Sequence, residues 1–486
     1  MLGVMGRATL ASFAAVAFVV ALISLLLAGR GAIEHQSFKA FYCAGVAVRH
    51  REDPYRVEPL RSCERRLLSN HEPEGYVEPA PLPGYALAVF APLALLSPKA
   101  AAVVFALAMA IATILAAYCL SAVLQAPPAA VLLAFAPLAL LNIAYGEIVP
   151  LALAGICCAG YCIARERWVE AGAAVCVALI APNVGVAAVV AVFLFAPRTR
   201  IVILIFGALL AILSVLALGV HRNIEYATTV LPLMARAELV ASDQYSLSHL
   251  LYAAGMAPNS ALLLGRTWFV IATVGSIAIA GVVSIRRRET ALVPLIAPLG
   301  ALFFGIYLHD IQMLLAIPAA LAAAARTRGV TFRTTALAAL ALLVAVWTQR
   351  AARATLILDG AGVAGAVYGA LSPAGNRLAR AIAAAAVTIA AVLLLGRYLT
   401  PLAGSQIITA PFHVAPNDWA ANAWAIYLRS TPALTNSNAG VKVPTLLGLF
   451  LTLVCIVRLG LTPSRSELRE PPPESAPYSV SLQRYG

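Results

Sequence analysis

The chain has 486 residues, of which 62% are hydrophobic and only 11% are charged. This composition excludes an ordinary soluble globular protein. Apolar runs of about 17–25 residues recur from end to end, long enough to cross a hydrocarbon core of roughly 30 Å as helices. The alternating segments of a transmembrane β-barrel are absent. We therefore expect an all-α, polytopic transmembrane helical bundle with about 11–14 spans.

The formal net charge of +13 is better explained by membrane topology than by nucleic acid binding. Basic residues cluster in short loops between apolar runs, at 165–167, 198–200, 286–288 and 326–333. By the positive-inside rule these loops face the cytoplasm. The long segment 30–83 has balanced charge, so it is expected to face outward. Both chain termini are then cytoplasmic, in a multi-pass protein of a bacterial inner membrane.

A retained first helix over Ala8–Ala28 precedes the polar segment 30–83. That segment contains an amphipathic helix at 38–48, expected to lie in the membrane interface, and a second helix at 59–68. Further spans are predicted at 100–123, 129–143, 148–164, 168–195 with a break at Pro182, 201–220, 267–285, 291–308, 311–325, 336–347, 356–371, 382–395 and 445–461, and a short apolar helix at 84–96.

The polar segments between these spans define the expected domain organisation. One transmembrane domain covers 1–462, with further outer loops at 221–264 and 400–442. The third outer loop carries Trp419, Trp424 and Tyr427, which suit an interfacial aromatic belt. The tail 463–486 is rich in proline and charge and is expected to be a disordered cytoplasmic extension.

Two of the eight cysteines differ from the rest in their surroundings. Six lie in apolar runs, where cysteine is usually a small core residue, whereas Cys43 and Cys63 both lie in the segment 30–83. If that segment faces outward, it lies where disulfides form, and the two residues are a disulfide candidate.

Ionisable groups at membrane depth are costly, so polar residues at the outer ends of spans are the candidates for function. Glu34, with Ser37 and Lys39, follows the first helix and either serves as a general base or is a solvated interface carboxylate. Glu147 lies in a Tyr-Gly-Glu turn between two apolar helices, where a charged group needs a partner or water. It has either a functional or a structural role.

Two further polar sets lie later in the chain. His309 and Asp310 occupy a hinge between apolar runs and suit binding of a phosphate or a sugar hydroxyl. Adjacent positions on a helix point about 100° apart, so the two are not a ready-made dyad. The loop 242–249 contains Asp243 and Gln244, and it is either part of a site or an ordinary polar loop.

Several familiar sites are missing from the sequence. We find no phosphate-binding glycine loop, no HExxH motif and no paired CxxC motifs. The sequence therefore predicts no metal site and no bound cofactor. Any activated donor is expected to arrive through the membrane.

These polar sets together resemble glycosyltransferase family 87, the DUF2029 group of integral membrane sugar transferases with GT-C architecture. The resemblance runs from the first helix to about Ala325. The matching stretches are Ser37-Phe38-Lys39-Ala40-Phe41-Tyr42, Glu52-Asp53-Pro54-Tyr55, Pro79-Ala80-Pro81-Leu82-Pro83, Gly146-Glu147, Ala181-Pro182, Asp243-Gln244-Tyr245-Ser246-Leu247 and His309.

The chain departs from the family pattern at three of these positions. The family's catalytic Asp falls on Ser37, its Gln on Glu147 and its Lys on Ala181. Serine does not act as a base at neutral pH in place of a carboxylate. Glu34 lies three residues earlier, near the same helical face, and is one replacement. Glu147 is the other.

The resemblance implies inverting transfer of a mannose-like sugar from a polyprenyl-phosphate donor to a lipid or glycan acceptor at the outer face of the bilayer. Glu34 would accept the acceptor's proton, and His309, with Lys39 or Arg49, would bind the donor phosphate. The implied substrate-binding residues are Ser37, Lys39, Tyr42, Arg49, Gln244, His309 and Asp310. The alternative is a catalytically degenerate relative, or a transporter, that binds or moves a lipid-linked glycan.

Overall fold

A computed structural model describes residues 7–31, 36–67, 76–327, 329–347, 353–371, 386, 413–430 and 439–462. Within these ranges the chain is almost entirely helical. The helices, in chain order, are α1 Arg7–Gly31, α2 Gln36–Arg49, α3 Val57–Leu67, α4 Gly84–Leu93, α5 Pro98–Leu124, α6 Pro128–Tyr145, α7 Val149–Ala164, α8 Trp168–Val177, α9 Pro182–Phe195, α10 Arg200–Glu225, α11 Leu231–Ala237, α12 Leu247–Ala253, α13 Pro258–Arg287, α14 Val293–Ile296, α15 Pro298–Leu302, α16 Ile317–Arg326, α17 Val330–Val344, α18 Arg353–Leu371, α19 Ala420–Ser430 and α20 Val443–Leu461.

Short 3-10 segments join several of these helices, at Ala178–Ile180, Pro197–Thr199, Glu238–Val240, Thr290–Leu292, Asp310–Ala316 and Ala439–Val441, and a π-helical turn covers Tyr226–Val230.

The described part of the chain contains six helical stretches long and apolar enough to cross a membrane, together with seven shorter apolar helices. The helices α10 and α13 turn apolar side chains outward, with Leu216 78% exposed and Ile285 71% exposed. Such exposure is expected of surfaces that face lipid rather than water. The predicted all-α polytopic bundle is confirmed. The count of 11–14 spans and the GT-C architecture remain predictions.

Helix packing brings distant parts of the chain to one end of the bundle. The helix α5 packs against α1, α6 and α7, and α2 packs on α4. The final helix α20 packs against α13, α16 and α17. The turn after α6, the loop before α12 and the segment before the 3-10 turn at Asp310 therefore meet near the start of α20.

The helix α2 confirms the prediction of a helix at 38–48, but its expected place in the membrane interface is wrong. Phe38 and Phe41 are buried, with ring centroids 5.2 Å from those of Phe105 and Phe90 respectively. Lys39, on the polar side, is also buried at 2% exposure. The helix is enclosed by protein because α4 and α5 cover it.

Two later predictions need correction. The expected span 291–308 is broken: α14 and α15 are separated at Ala297 and end at Leu302. An irregular segment follows, with positive φ at Phe304 and Tyr307. The expected outer loop 221–264 is largely helical, because α10 continues into the π turn, α11 and α12. The predicted break at Pro182 is confirmed, since α9 begins there.

The predicted span at 382–395 apart from residue 386, residues 400–412 and 431–438 of the third outer loop, and the tail 463–486 lie outside the described residues.

Candidate functional site

The turn between α6 and α7 places a carboxylate against the start of α2. Gly146 caps α6 in the left-handed conformation, with φ of +73°, and the amide of Glu147 bonds to the carbonyl of Asn142 at 2.8 Å. A Cβ at Gly146 would lie 2.4 Å from Cβ of Phe38. This close approach lets the Ser37 hydroxyl donate to Oε1 of Glu147 at 2.6 Å.

The environment of Glu147 favours its protonated form relative to an exposed carboxylate. Burial raises the pKa of Glu147, and the Ser37 hydrogen bond and the charge of His309 only partly offset that effect. A carboxylate with a raised pKa is a stronger base once it is ionised. The predicted residues Ser37, Glu147 and His309 therefore belong to one site.

The imidazole of His309 lies among carboxylates from two other segments. Its Nδ1 donates to Oδ2 of Asp243 at 2.9 Å, and its Nε2 is 3.8 Å from Oε2 of Glu238. Burial alone lowers the pKa of His309, but Asp243, Glu238 and Glu147 outweigh it and raise the value to about 10. Burial also acts on Asp243, but the charge of His309 holds the pKa of that carboxyl below its ordinary value.

Gln244 fixes the loop that carries Asp243 to the segment that carries His309. Its Oε1 accepts from the amide of Leu308 at 3.0 Å, and its Nε2 donates to Glu238 at 2.9 Å. These two bonds fix the orientation of the amide, so the second N–H of Nε2 faces Nε2 of His309 at 2.9 Å. The Gln244 amide thus opposes protonation of the His309 ring, whereas the carboxylates of Asp243 and Glu238 favour its protonation.

The C-terminal part of the chain completes this arrangement. Trp424 of α19 donates its indole N–H to Oε1 of Glu238 at 2.7 Å. Lys442, fully buried, donates to the carbonyl of Gln244 at 2.7 Å and to Nε2 of His249 at 2.8 Å. Since Nδ1 of His249 bonds to the Leu239 carbonyl at 2.9 Å, this ring is the neutral Nδ1–H tautomer.

Burial determines which of His249 and Lys442 carries a positive charge. Burial, with the adjacent Lys442, lowers the pKa of His249 to about 4. Burial lowers the pKa of Lys442 to about 8. At neutral pH the pair therefore holds one positive charge, on Lys442, directly behind the Gln244 loop.

A cluster of aromatic side chains lies between Lys39 and Glu238. The Lys39 ammonium is 4.7 Å from the centroid of the Tyr76 ring, and Tyr76 meets Trp424 and Tyr427 edge-on. Trp424, partly buried, and Tyr427, buried, stack on each other. The Trp419 ring is covered by the Arg56 guanidinium at 3.4 Å.

The structure separates two other predicted residues, Tyr42 and Arg49, from this site. The Tyr42 hydroxyl bonds to the carbonyl of Leu96, and Arg49 bonds to that of Ala94, both at the far end of α4. Asp310 is buried next to His309, where its charge acts on Glu147, and its Oδ1 accepts from the amide of Ile311 at 2.7 Å. Glu34 lies outside the described residues.

The remaining predicted positions have structural contacts. The sulfur atoms of Cys43 and Cys63 are 2.02 Å apart, at disulfide bonding distance, and join α2 to α3. Ala181, at the family's Lys position, is buried at the start of α9. Among the described residues, no three His, Cys, Asp or Glu side chains converge in a way that would hold a metal ion.

Sequence reasoning missed Glu238, Trp424 and Lys442 as parts of the site. Glu238 had a usable signal, since it is an acid between two apolar neighbours in the predicted outer loop 221–264. The other two residues reach the site from more than 180 positions away in sequence. No local pattern marks such contacts.

Comparison with known proteins gives one match. Residues 83–308 match the family model of glycosyltransferase family 87. Over this region the chain is similar to members of that family. No curated protein and no solved structure matches.

The matched region carries Glu147, Glu238, Asp243 and Gln244, and ends one residue before His309. A member of family 87 is a membrane glycosyltransferase, which agrees with the many apolar helices.

Proposed function

We propose that the protein transfers a mannose-like sugar from a polyprenyl-phosphate donor to a lipid or glycan acceptor at the outer face of the cell membrane. The observation that carries this proposal is the contact between Ser37 and Glu147. Where the family resemblance places a catalytic Asp, this chain has a hydroxyl that holds the carboxylate of Glu147. The reacting carboxylate is thus supplied from the α6–α7 turn instead of α2.

In the proposed step, the acceptor hydroxyl attacks the anomeric carbon of the donor sugar. An acceptor oxygen–carbon bond forms, and the bond from that carbon to the phosphate oxygen breaks with its electron pair on the phosphate. Glu147 takes the hydroxyl proton as general base. His309, with its raised pKa, stabilises the negative charge that develops on the leaving phosphate. The anomeric configuration is inverted, because the transfer is a single displacement.

Basic residues support the orientation of the site toward the outer face. Arg165 and Arg167 lie at the far end of α7, one helix length from Glu147. Arg198 and Arg200 begin α10, whose other end leads to the Glu238 segment. By the positive-inside rule those arginines face the cytoplasm. The site then faces outward in a bacterial inner membrane, with both termini cytoplasmic.

The test is transfer of labelled mannose from polyprenyl-phosphate mannose to a membrane lipid extract by the reconstituted protein. We expect Glu147→Gln to reduce the transfer rate by about 10²–10⁴-fold, the usual contribution of a general base. The matched control is Glu170→Gln, which removes an exposed carboxylate paired with Arg167 at the opposite end of the bundle.

A Glu34→Ala variant separates the two candidate bases. Transfer that survives Glu147→Gln but is lost in Glu34→Ala would assign the base to Glu34. Donor binding without transfer by the wild-type protein, over several donor sugars, would overturn the proposal in favour of a degenerate lipid-glycan binding protein.

A further inference from the structure

A groove on the outside of the bundle lies between α11 and α13, away from the carboxylate site. It has a volume of about 390 Å³ and is lined by Arg236, Asn259, Arg266 and apolar residues that include Leu233 and Leu263. Among the described residues, no acidic side chain lines it. The side chain of α11 that points away from the groove, Met234, is buried in the protein.

The two arginines of the groove have no counter-charge within the described part of the chain. Arg236 donates to a neutral acceptor, Oδ1 of Asn259, at 2.8 Å. Arg266 forms no ion pair with any of the described residues. Two neighbouring guanidinium groups without a carboxylate favour an anionic ligand, and phosphate matches their donor geometry. The Asn259 amide nitrogen adds further N–H donors at the same place.

The position of Arg266 along α13 places this charge at a membrane boundary. An apolar stretch from Thr267 to Ile285 follows it, and Arg286 and Arg287 close the helix. Those 19 residues correspond to about 28 Å of helix, close to the thickness of the hydrocarbon core. Arg266 is therefore at the level of lipid phosphates, on the same side of the membrane as Glu238.

The face of α13 below the groove is exposed and apolar. Val270 is 58% exposed and Val274, about one turn further along, is 60% exposed. A lipid whose phosphate lies between the two arginines can place an acyl chain along this face. The groove thus combines an anion site with an adjacent apolar path.

We infer that this groove binds an anionic phospholipid of the surrounding bilayer, with its phosphate between Arg236 and Arg266 and one acyl chain along Val270 and Val274. The bound lipid holds α11 against α13 and so steadies the Glu238 segment that follows α11. This inference does not depend on the proposed transfer reaction.

The experiment measures lipid retention by native mass spectrometry of the detergent-solubilised protein, titrated with phosphatidylglycerol or phosphatidylcholine. We expect one phosphatidylglycerol molecule to bind about tenfold more tightly than phosphatidylcholine. The Arg236→Gln/Arg266→Gln variant should lose this difference. The matched control, Arg286→Gln/Arg288→Gln, removes the same charge at the other end of α13 and should keep it.

A second variant distinguishes loss of lipid binding from loss of folding. Asn259→Asp keeps both arginines but places a carboxylate in the groove, at an exposed position near the start of α13. It should weaken phosphatidylglycerol binding and leave the melting temperature unchanged. Equal retention of phosphatidylglycerol by wild type and both groove variants would overturn the inference. Displacement by polyprenyl phosphate at a lower concentration than phosphatidylglycerol would overturn it also, since the donor lipid would then be the occupant.

Discussion

At the scale of single residues, the Ser37–Glu147 hydrogen bond determines where a proton acceptor is available. The bond is 2.6 Å long and joins residues 110 positions apart. Because the two side chains are in contact, we predict that a carboxylate at position 37 can replace the carboxylate at position 147. Glu147→Gln should reduce transfer by about 10²–10⁴-fold, and the double variant Ser37→Asp/Glu147→Gln should restore part of it, to about 10-fold or more above the single variant.

The control for this exchange is Ser37→Ala, which removes the hydroxyl and leaves Glu147 in place. Loss of one hydrogen bond to a charged group costs about 1.5–3 kcal/mol. We therefore expect a moderate loss of transfer rate in this variant, smaller than in Glu147→Gln. No recovery in the double variant, measured with the same labelled donor, would argue that position 37 does not face the acceptor.

The pH dependence of transfer should report the two raised pKa values of the site. Glu147 acts only when ionised, so the rate rises with pH through a pKa above the ordinary value for glutamate. His309 acts when protonated, so the rate falls as pH rises through about 10. The profile of kcat/KM should therefore be bell-shaped, with its optimum on the alkaline side of neutrality.

The Asp243→Asn variant tests whether His309 is the group that titrates in the alkaline limb of the pH profile. Asp243 is the largest of the charges that raise the pKa of His309, so its removal should shift the alkaline limb toward neutral pH by about one unit or more. Asp243 is half-exposed, and the fold should tolerate the change. An alkaline limb that stays in place would mean that another group titrates there.

At the scale of elements, the contact between the α6–α7 turn and α2 sets the geometry of the site. Gly146 has φ of +73°, and a Cβ there would lie 2.4 Å from Phe38. Gly146→Ala should destabilise the protein by about 1–3 kcal/mol through backbone strain and overpacking. It should also reduce transfer, because Ser37 and Glu147 move apart. Thermal unfolding in detergent and the transfer assay measure both effects.

Gly207→Ala is the matched control for this substitution. Gly207 lies within α10, and a methyl group added there would meet no atom within 4 Å. Alanine at this position should be neutral or slightly stabilising, since it lowers the backbone entropy of the unfolded chain. Equal melting temperatures for the two variants would contradict the close packing at Gly146.

Most of these elements could be predicted from sequence, because apolar runs in a membrane protein have few alternatives to helix. The ends of α5, α6 and α7 agree closely with prediction, and the break at Pro182 follows from proline chemistry. The segment after Leu302 could not be predicted. Its apolar sequence reads as helix, but hydrogen bonds to the Gln244 loop hold it in an irregular conformation.

At the scale of the whole molecule, the site combines segments that the sequence pattern could only partly connect. His309 and Glu147 were predictable as polar residues at helix ends. Their link to Trp424 and Lys442 was not, because it depends on how α19 and α20 return to the bundle. Both residues lie beyond the region that matches family 87. The segments that carry Trp424 and Lys442 are therefore part of the site.

Lys442→Met tests this role of the C-terminal part. The substitution removes the donor to the carbonyl of Gln244 and to Nε2 of His249, so two buried acceptors lose their partner. We expect a loss of about 1.5–3 kcal/mol in stability and a larger fall in transfer rate than stability alone explains. The control is Lys99→Met, at an exposed position at the start of α5.

Trp424→Phe separates positioning from packing at this interface. Phenylalanine keeps an aromatic ring on Tyr427 but removes the N–H that bonds to Glu238. The freed Glu238 carboxylate can then turn further toward His309, which favours the protonated ring and should move the alkaline limb of the pH profile to higher pH. A purely structural role would lower the melting temperature and leave that limb unchanged. The direction of the shift therefore decides whether α19 acts on the chemistry of the site or only on its stability.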